Sequence, residues 1–248
     1  MTRTVRDAAL MFSVMAQYDL RDPCCLPSDG RDWRDDIESG VAGLTVGILR
    51  RPGFDAPADA DAAAAIEQAA QILSDAGAFV EEAPANLPDP SAVFLRVWGA
   101  ALGRVVAATP TQLVNLLDPG ILEVASTLGG MTAVEFMEGE ALRAQVGHVM
   151  GRYHQRYDLL LCPTVPAEPP LADAPTTDPV RALNSAWAPW TYLFNLSRQP
   201  AITVPLGSRA SGLPNSVQIA AAQHRDDLVF RAARAIEVAV PIPVADLG

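Results

Sequence analysis

The sequence predicts an α/β fold, a mixed sheet with helices on both faces. Half of its 248 residues are hydrophobic and 19% are charged, a composition that can bury a sizeable core. Two short strands, Leu44 to Leu49 and Phe79 to Ala83, flank an Ala-rich helical stretch, which is the pattern of a βαβ unit with parallel strands. Further apolar strands are predicted at Asp158 to Cys162, Ala201 to Val204 and Ser216 to Ala221.

The chain begins with a predicted amphipathic helix. Thr4 and Asp7 have the spacing of a capping box. Apolar residues then recur at helical spacing, at Val5, Ala8, Ala9, Phe12 and Ala16. Arg3 and Arg6 before an apolar run would also suit a signal peptide, but Asp7 interrupts that run and we favour the helix. No window approaches the length of a membrane-spanning helix.

Loops and helices are predicted from local composition in several other places. Residues 23–40 are rich in Pro, Asp and Gly and are predicted to be loop. A helix from Asp59 to Ala76 ends at Gly77, which suits the residue after a helix end. A last helix is capped by Asp226 or Asp227. Its buried side carries Leu228, Ala232 and Ile236.

Residues 85–156 are predicted to be mostly helical. Asp89 and Thr109 each precede a proline, an arrangement typical of an N-cap followed by proline at the first helical position. Thr132 and Glu135 have the spacing of a second capping box, which opens a long helix.

The stretch from Trp190 to Pro205 combines a helix end, a break and a strand. The apolar side of the helix carries Tyr192, Leu193 and Leu196. Gln199-Pro200 ends the helix, because proline disfavours the helical backbone at the residue before it. The strand from Ala201 to Val204 follows, and Pro205 is expected to stop it.

This stretch, W-T-Y-L-F-N-L-S-R-Q-P-A-I-T-V-P, closely resembles the segment F-T-x-x-x-N-x-x-G-Q-P-A-I-x-V-P of the amidase signature family, serine hydrolases that cleave amide bonds. Other phrases occur in the family's order: T-R-T-V-R-D-A-A-L-M-F near the start, Y-D-L-L-L-C-P-T-V-P at 157–166, and G-L-P-N-S-V-Q-I at 212–219. The resemblance spans nearly the whole chain and is weak from 85 to 155. It implies that residues 1–248 form a single partial domain, the later half of an amidase signature domain.

The resemblance also implies chemistry that this chain does not contain. Family members use a serine nucleophile, a second serine in a cis peptide and a lysine base, since a serine hydroxyl is a poor nucleophile until a base removes its proton. No Gly/Ser-rich signature occurs here, and all 18 Lys or Arg residues are arginine, so the chain has no lysine. We therefore expect no catalytic residue and no amidase activity from this chain alone. A non-catalytic remnant, or a half-domain that binds a small molecule or a protein, stays open as the alternative.

By their position in the resemblance, five residues are candidates for a substrate-binding wall. They are Pro163, Thr164, Trp187, Trp190 and Asn195. Each also has a purely structural explanation, because Trp and Pro beside helix ends usually pack and Asn side chains often bond to backbone. One departure from the family is Arg198, which stands where a glycine is usual and is expected to alter the turn into the next strand.

Charge and cysteine content argue against several functions. The net charge is −11 with no basic patch, which argues against nucleic-acid binding and against docking on anionic membranes. Cys24, Cys25 and Cys162 are too few for a disulfide framework, and we expect reduced thiols in a cytoplasmic protein. His148 and His154 are six residues apart on one helix and do not share a face, so we expect neither a metal nor another cofactor.

The sequence also leads to expectations about binding partners and about one competing catalytic mechanism. A small amide is the expected substrate if an N-terminal half completes the domain. Self-association is the other expectation, because a cut sheet leaves an unpaired strand edge that can pair with another chain. An independent hydrolase using Cys162 with His148 or His154 is disfavoured, since a thiol in an apolar strand is normally buried and inert.

Overall fold

The computed structural model describes residues 1–54, 56–87, 89–169 and 189–240. Its strands are β1 (Thr45–Ile48), β2 (Phe79–Glu82), β3 (Leu159–Pro163), β4 (Ala201–Ser208) and β5 (Pro214–Ala221). They form one five-stranded sheet in the order β2-β1-β3-β5-β4. β1 is parallel to both β2 and β3, and β5 is antiparallel to both β3 and β4. The predicted mixed sheet and its βαβ unit are confirmed.

Helices cover both faces of this sheet, as predicted. They are α1 (Val5–Met15), α2 (Ala60–Asp75), α3 (Ser91–Ala108), α4 (Pro119–Leu128), α5 (Ala133–Tyr153), α6 (Pro189–Ser197) and α7 (Asp226–Ala239), with a 3-10 turn at Thr111–Leu116. Helices α1, α2 and α7 share a core with one face of the sheet. Helices α3, α5 and α6 share a core with the other.

Strand β3 lies at the centre and is buried on both faces. Leu159 and Leu161 pack in the core of α2 and α7, whereas Leu160 and Cys162 pack in the core of α5 and α6. Successive side chains of a strand point to opposite faces, so an unbroken apolar run is what a strand covered on both sides requires. The end of β3 is therefore held rigidly between the two helical layers.

The predicted helix starts are partly right. Thr4 caps α1, and its Oγ1 accepts a hydrogen bond from the Asp7 backbone N–H (3.0 Å). Thr132 and Glu135 form the complete predicted capping box of α5. At α7 the prediction was wrong, because Arg225 is the N-cap and makes no side-chain capping bond. Asp226 lies in the first turn instead, where carboxylates interact favourably with the positive end of a helix.

The two predicted proline starts were wrong as well. Helix α3 has Pro90 as its N-cap, and the following 3-10 turn has Pro110 in the same place. Asp89 still contributes, since its carboxylate accepts a hydrogen bond from the Ser91 N–H (2.9 Å). Proline at the first helical position occurs at Pro119, where Asp118 caps α4.

Strand β4 continues past the residue expected to stop it. It runs through Pro205 to Ser208, with a register irregularity between these two residues. The expectation was wrong because β4 is an edge strand. Proline lacks an N–H, and sheets accept it on edge strands, where one side of the strand has no partner to bond.

Helix α3 overturns the expectation that no stretch reaches membrane-spanning length. Its 18 residues have a mean hydropathy of 1.4 and by length and composition alone would be able to cross a membrane. Arg96 and Arg104 are its charged residues. The helix packs closely on α4, since a Cβ added at Gly103 would lie 2.8 Å from the Gly129 Cα, and Arg96 pairs with Glu138 of α5 (3.2 Å).

Candidate functional site

The predicted site lies where the end of β3 meets the first turn of α6. Gln218 connects β3 and α6. It lies on β5, where it is the register partner of Cys162. Its Nε2 is 3.5 Å from the Cys162 Sγ and 3.4 Å from the Trp190 carbonyl oxygen. Gln218 is buried, so this amide fixes the start of α6 against the strand that leads to Pro163 and Thr164.

Two of the predicted residues carry buried polar atoms with no partner among the described residues. These atoms are the Thr164 Oγ1 and the Trp190 Nε1, and the Trp190 side chain is fully buried. Buried polar groups in folded proteins are nearly always hydrogen-bonded. A partner for either atom would come from a bound water, from a ligand or from protein outside the described residues.

Pro163 and Asn195 are placed differently. Pro163 ends β3, is buried, and pairs in register with Val217. Asn195 is exposed, and its Nδ2 donates to the Thr191 carbonyl oxygen within α6 (2.8 Å), which is the structural explanation that the sequence left open. Trp187 lies outside the described residues.

The turn that follows α6 is tied down by amide side chains. The Gln199 Nε2 donates to the Ala221 carbonyl oxygen (3.2 Å), and the Gln223 Nε2 donates to that of Ser197 (2.9 Å). Arg198 lies between the two tied residues, Ser197 and Gln199. Its φ is 57°, in the left-handed region that glycine enters without strain. The glycine usual at this position in the resembling family is thus replaced by a residue that must bear the strain.

Cys162 is unsuited to nucleophilic catalysis. Its thiol is fully buried, and burial raises the pKa of Cys162 to about 12 although the Gln218 amide opposes this. A protonated thiol is a weak nucleophile. His154 is engaged elsewhere, with its Nδ1 2.9 Å from the Tyr157 carbonyl oxygen, and His148 is exposed. The buried position predicted for Cys162 is confirmed.

Sequence reasoning missed the polar residues that hold the loop after Thr164. The buried Arg209 pairs with Asp59 (2.7 Å) and donates to the Ala167 carbonyl oxygen (3.3 Å). The Asp59 N–H donates to the Pro166 carbonyl oxygen (2.7 Å). The buried role of Gln218 was predictable, because it is an amide among the apolar residues of a strand. That of Arg209 was not, because its partner Asp59 is distant in sequence.

A protein metal site requires several ligating side chains close together. In the four described segments, no group of three or more His, Cys, Asp or Glu residues is placed to hold a metal ion.

The chain is similar to known proteins in both sequence and structure. The family model described as Amidase matches residues 1–230. The 6-aminohexanoate-cyclic-dimer hydrolase of Pseudomonas sp. (strain NK87) is 31% identical over 96% of this chain and 52% of its own length. The acylamidase of Rhodococcus erythropolis is 29% identical over 97% of this chain and 51% of its own.

A solved structure also matches nearly the whole chain. A bacterial aryl acylamidase of the amidase signature family superposes with a TM-score of 0.83 at 26% identity, over 97% of this chain and 52% of that one. The chain thus spans about half the length of the relatives it matches.

Proposed function

Because this chain belongs to the amidase signature family, we propose that it forms the later half of an amide-hydrolysing domain. In this proposal the chain supplies five strands of the sheet and part of the substrate wall. The serine nucleophile, its partner serine and the lysine base come from protein outside these 248 residues. Residues 1–248 are then one partial domain.

The observation that carries the proposal is the extent of the match together with the absence of lysine. Nearly the whole chain superposes on half of an aryl acylamidase, and the chain contains no lysine. A buried lysine acts as a base only when its surroundings lower its pKa. The Cys162 thiol at the end of β3 does not replace it, because burial raises the pKa of that thiol to about 12 and keeps it protonated.

The substrate wall is assigned to the end of β3 and the start of α6. Thr164 offers a hydroxyl and Trp190 an indole N–H, both buried without partners among the described residues. Such groups suit the carbonyl oxygen or N–H of an amide, and an apolar wall with a few polar groups is typical of small-molecule sites. Pro163 ends β3 directly before Thr164, while Trp187 and Asn195 are included on the resemblance alone.

A small amide is the substrate class we propose. Two relatives are called a 6-aminohexanoate-cyclic-dimer hydrolase and an acylamidase, names that refer to amide chemistry. We place the protein in the cytoplasm, because its three cysteines are free and free thiols persist in reducing compartments.

A non-catalytic binding role is the second candidate. It is favoured by the missing base, since a half-domain that only binds needs the buried Thr164 and Trp190 groups and no lysine.

The proposal is tested with a chimera. The N-terminal half of the Rhodococcus acylamidase is fused to the start of this chain, and hydrolysis of an aryl amide is compared for the chimera and for the 248-residue chain alone. The matched control is the same chimera with the donor's catalytic lysine changed to alanine.

We expect turnover by the chimera and none by the chain alone or by the lysine variant. A chimera that melts in one sharp transition yet lacks turnover would overturn the proposal in favour of a binding role. Turnover by the chain alone would show that these 248 residues contain a nucleophile of their own.

A further inference from the structure

A cavity of about 250 Å³ lies between the end of α5 and the segment that follows β2. The residues that matter for its chemistry are Asn86, Val149, Arg152, Tyr153, Arg156 and Tyr157. Its lining includes neither Thr164 nor Trp190, so it is separate from the substrate wall. We propose that this cavity binds a small organic monocarboxylate, with the carboxylate on Arg152 and the apolar body on Val149 and the tyrosine rings.

Of the two arginines that line the cavity, Arg156 has a carboxylate partner and Arg152 has none among the described residues. Arg156 forms a two-point ion pair with Glu81, at 2.7 and 2.8 Å, and lies over the Tyr157 ring. Arg152, four residues earlier and in the last turn of α5, has no ion pair or side-chain hydrogen bond among the described residues. Arg152 is exposed, so its guanidinium keeps all of its N–H donors for a ligand, and arginine binds carboxylates through two parallel N–H···O bonds.

The floor of the cavity is apolar and fixed. The Tyr157 side chain is 3% exposed and lies directly on β1, since a Cβ at Gly47 would approach the Tyr157 ring to 2.9 Å. The Tyr153 ring lies beside it, and Val149 packs partly buried against the same core. An aromatic or aliphatic body would gain contact here without displacing protein atoms.

The rim is held in place by a hydroxyl. The Tyr153 hydroxyl lies 2.5 Å from the Pro84 carbonyl oxygen and 2.5 Å from the Asn86 Oδ1. It donates its single proton to one of them, and either bond ties the segment after β2 to α5. A site that is already formed avoids the entropic cost of ordering itself on binding.

Size and charge together select the ligand class. Pockets for drug-sized molecules begin at about 300 Å³, so this cavity suits a smaller molecule. One unmatched arginine provides one positive charge, which fits a single carboxylate better than a phosphate ester with two negative charges. Benzoate combines that charge with a flat apolar body and is the probe of choice.

The experiment measures benzoate and benzamide binding to the full 248-residue chain by titration calorimetry. Four proteins are compared: wild type, Arg152→Gln, Val149→Phe and Arg104→Gln. Arg104 is the matched control, an exposed arginine on α3 that lies outside the cavity. Benzamide has the same body as benzoate without the charge.

We expect Arg152→Gln to weaken benzoate binding about tenfold, the loss of one charge-assisted hydrogen bond, and to leave benzamide binding unchanged. Val149→Phe fills the cavity and abolishes binding of both probes, while Arg104→Gln matches wild type. The proposal is overturned if wild type shows no saturable benzoate binding, or if Arg152→Gln binds benzoate as tightly as wild type. Equal weakening by Arg104→Gln would also overturn it, because binding would then follow overall charge.

Discussion

Arg198 shows how a single residue departs from what its backbone position favours. It joins α6 to β4 with a φ of 57° and an exposed side chain. The left-handed conformation costs a residue with a Cβ about 1–2 kcal/mol. The turn persists because the amides of Gln199 and Gln223 hold the backbone on both sides.

Replacing Arg198 by glycine should therefore stabilise the protein. We expect Arg198→Gly to raise the free energy of unfolding by about 0.5–1 kcal/mol, since relief of the strain exceeds the entropy that glycine adds to the unfolded chain. Urea denaturation measures the change. The control is Arg104→Gly, the same substitution within α3, where glycine should cost about 1 kcal/mol. Equal losses at both positions would show that Arg198 is not strained.

His154 gives the folded protein a dependence on pH. Burial lowers the pKa of His154, and its Nε2 is buried without a partner among the described residues. The folded state thus favours the neutral ring, whereas the unfolded chain has an ordinary pKa of about 6.5. The associated stability is complete above that value and is lost as the pH falls towards the folded pKa.

We expect the free energy of unfolding of the wild type to fall more between about pH 7.5 and about pH 5.5 than that of His154→Asn. Asparagine keeps a donor for the Tyr157 carbonyl oxygen and does not titrate. His148→Asn, an exposed substitution on the same helix, should keep the wild-type pH dependence. Parallel curves for wild type and His154→Asn would contradict this account.

At single positions the chemistry of a residue was predictable from the sequence, but its surroundings were predictable only in part. Cys162 was expected to be buried because it stands in an apolar strand, and it is. The unpartnered Thr164 and Trp190 atoms had no such signal, since hydrogen-bond satisfaction depends on which elements meet in space. Pocket-lining roles for Thr164 and Trp190 stay proposals, and Asn195 has a local backbone partner.

At the scale of elements, one ion pair connects three parts of the chain. Asp59 caps α2 by accepting from the Ala62 N–H (2.8 Å), and it also pairs with Arg209 beside the end of β4. Arg209 in turn donates to the loop after β3. The pair thus positions the segment that carries Thr164 relative to both the sheet and α2.

Removing this arginine should loosen all three elements. We expect Arg209→Gln to lower the free energy of unfolding by about 2 kcal/mol, the value of a hydrogen bond to a charged group. Thermal unfolding measures the loss. Arg21→Gln is the control, because Arg21 pairs with Asp19 on the surface and exposed pairs contribute little. A similar effect from both substitutions would show that the Arg209 pair has no special role.

Most elements were predictable from local sequence, and their ends were less so. Apolar runs and capping residues placed every strand and most helices within a few residues. The end of β4 was missed at Pro205, because whether proline stops a strand depends on whether that strand lies at a sheet edge. The caps at Asp89 and Asp226 were misplaced by one residue, a difference that local spacing does not resolve.

At the scale of the whole molecule, the described chain exposes many large apolar side chains. On and after α1 they are Leu10, Met11, Val14, Met15, Tyr18 and Leu20, and on α5 they are Val134, Phe136, Met137 and Leu142. Strand β4 also forms an open edge of the sheet. Exposed apolar side chains that cluster on one surface usually mark an interaction site, which is what the proposed partial domain requires.

We therefore expect the isolated chain to self-associate. Light scattering coupled to size exclusion should give a mass above that of one 26.3 kDa chain, because apolar surface and an open strand edge both favour pairing. The acylamidase chimera should give a mass closer to that of its own monomer, since its donor half covers part of this surface. A monodisperse monomer of the chain with a sharp melting transition would contradict the expectation.

The overall architecture was the most predictable level, because the family phrases occur in order along nearly the whole chain. The proposed amide substrate and the proposed completing protein were not predictable in detail, since no residue of the sequence identifies either. The sequence does show that the chain has no lysine. The proposal that the catalytic residues come from protein outside these 248 residues depends on this fact.

The most direct test of that claim is covalent labelling with a fluorophosphonate, which reacts with activated serines. The chimera and the isolated 248-residue chain are treated, digested and mapped by mass spectrometry. The account requires an adduct on a serine of the donor half in the chimera and no adduct on the isolated chain. An adduct on any residue of these 248 in either protein would contradict it.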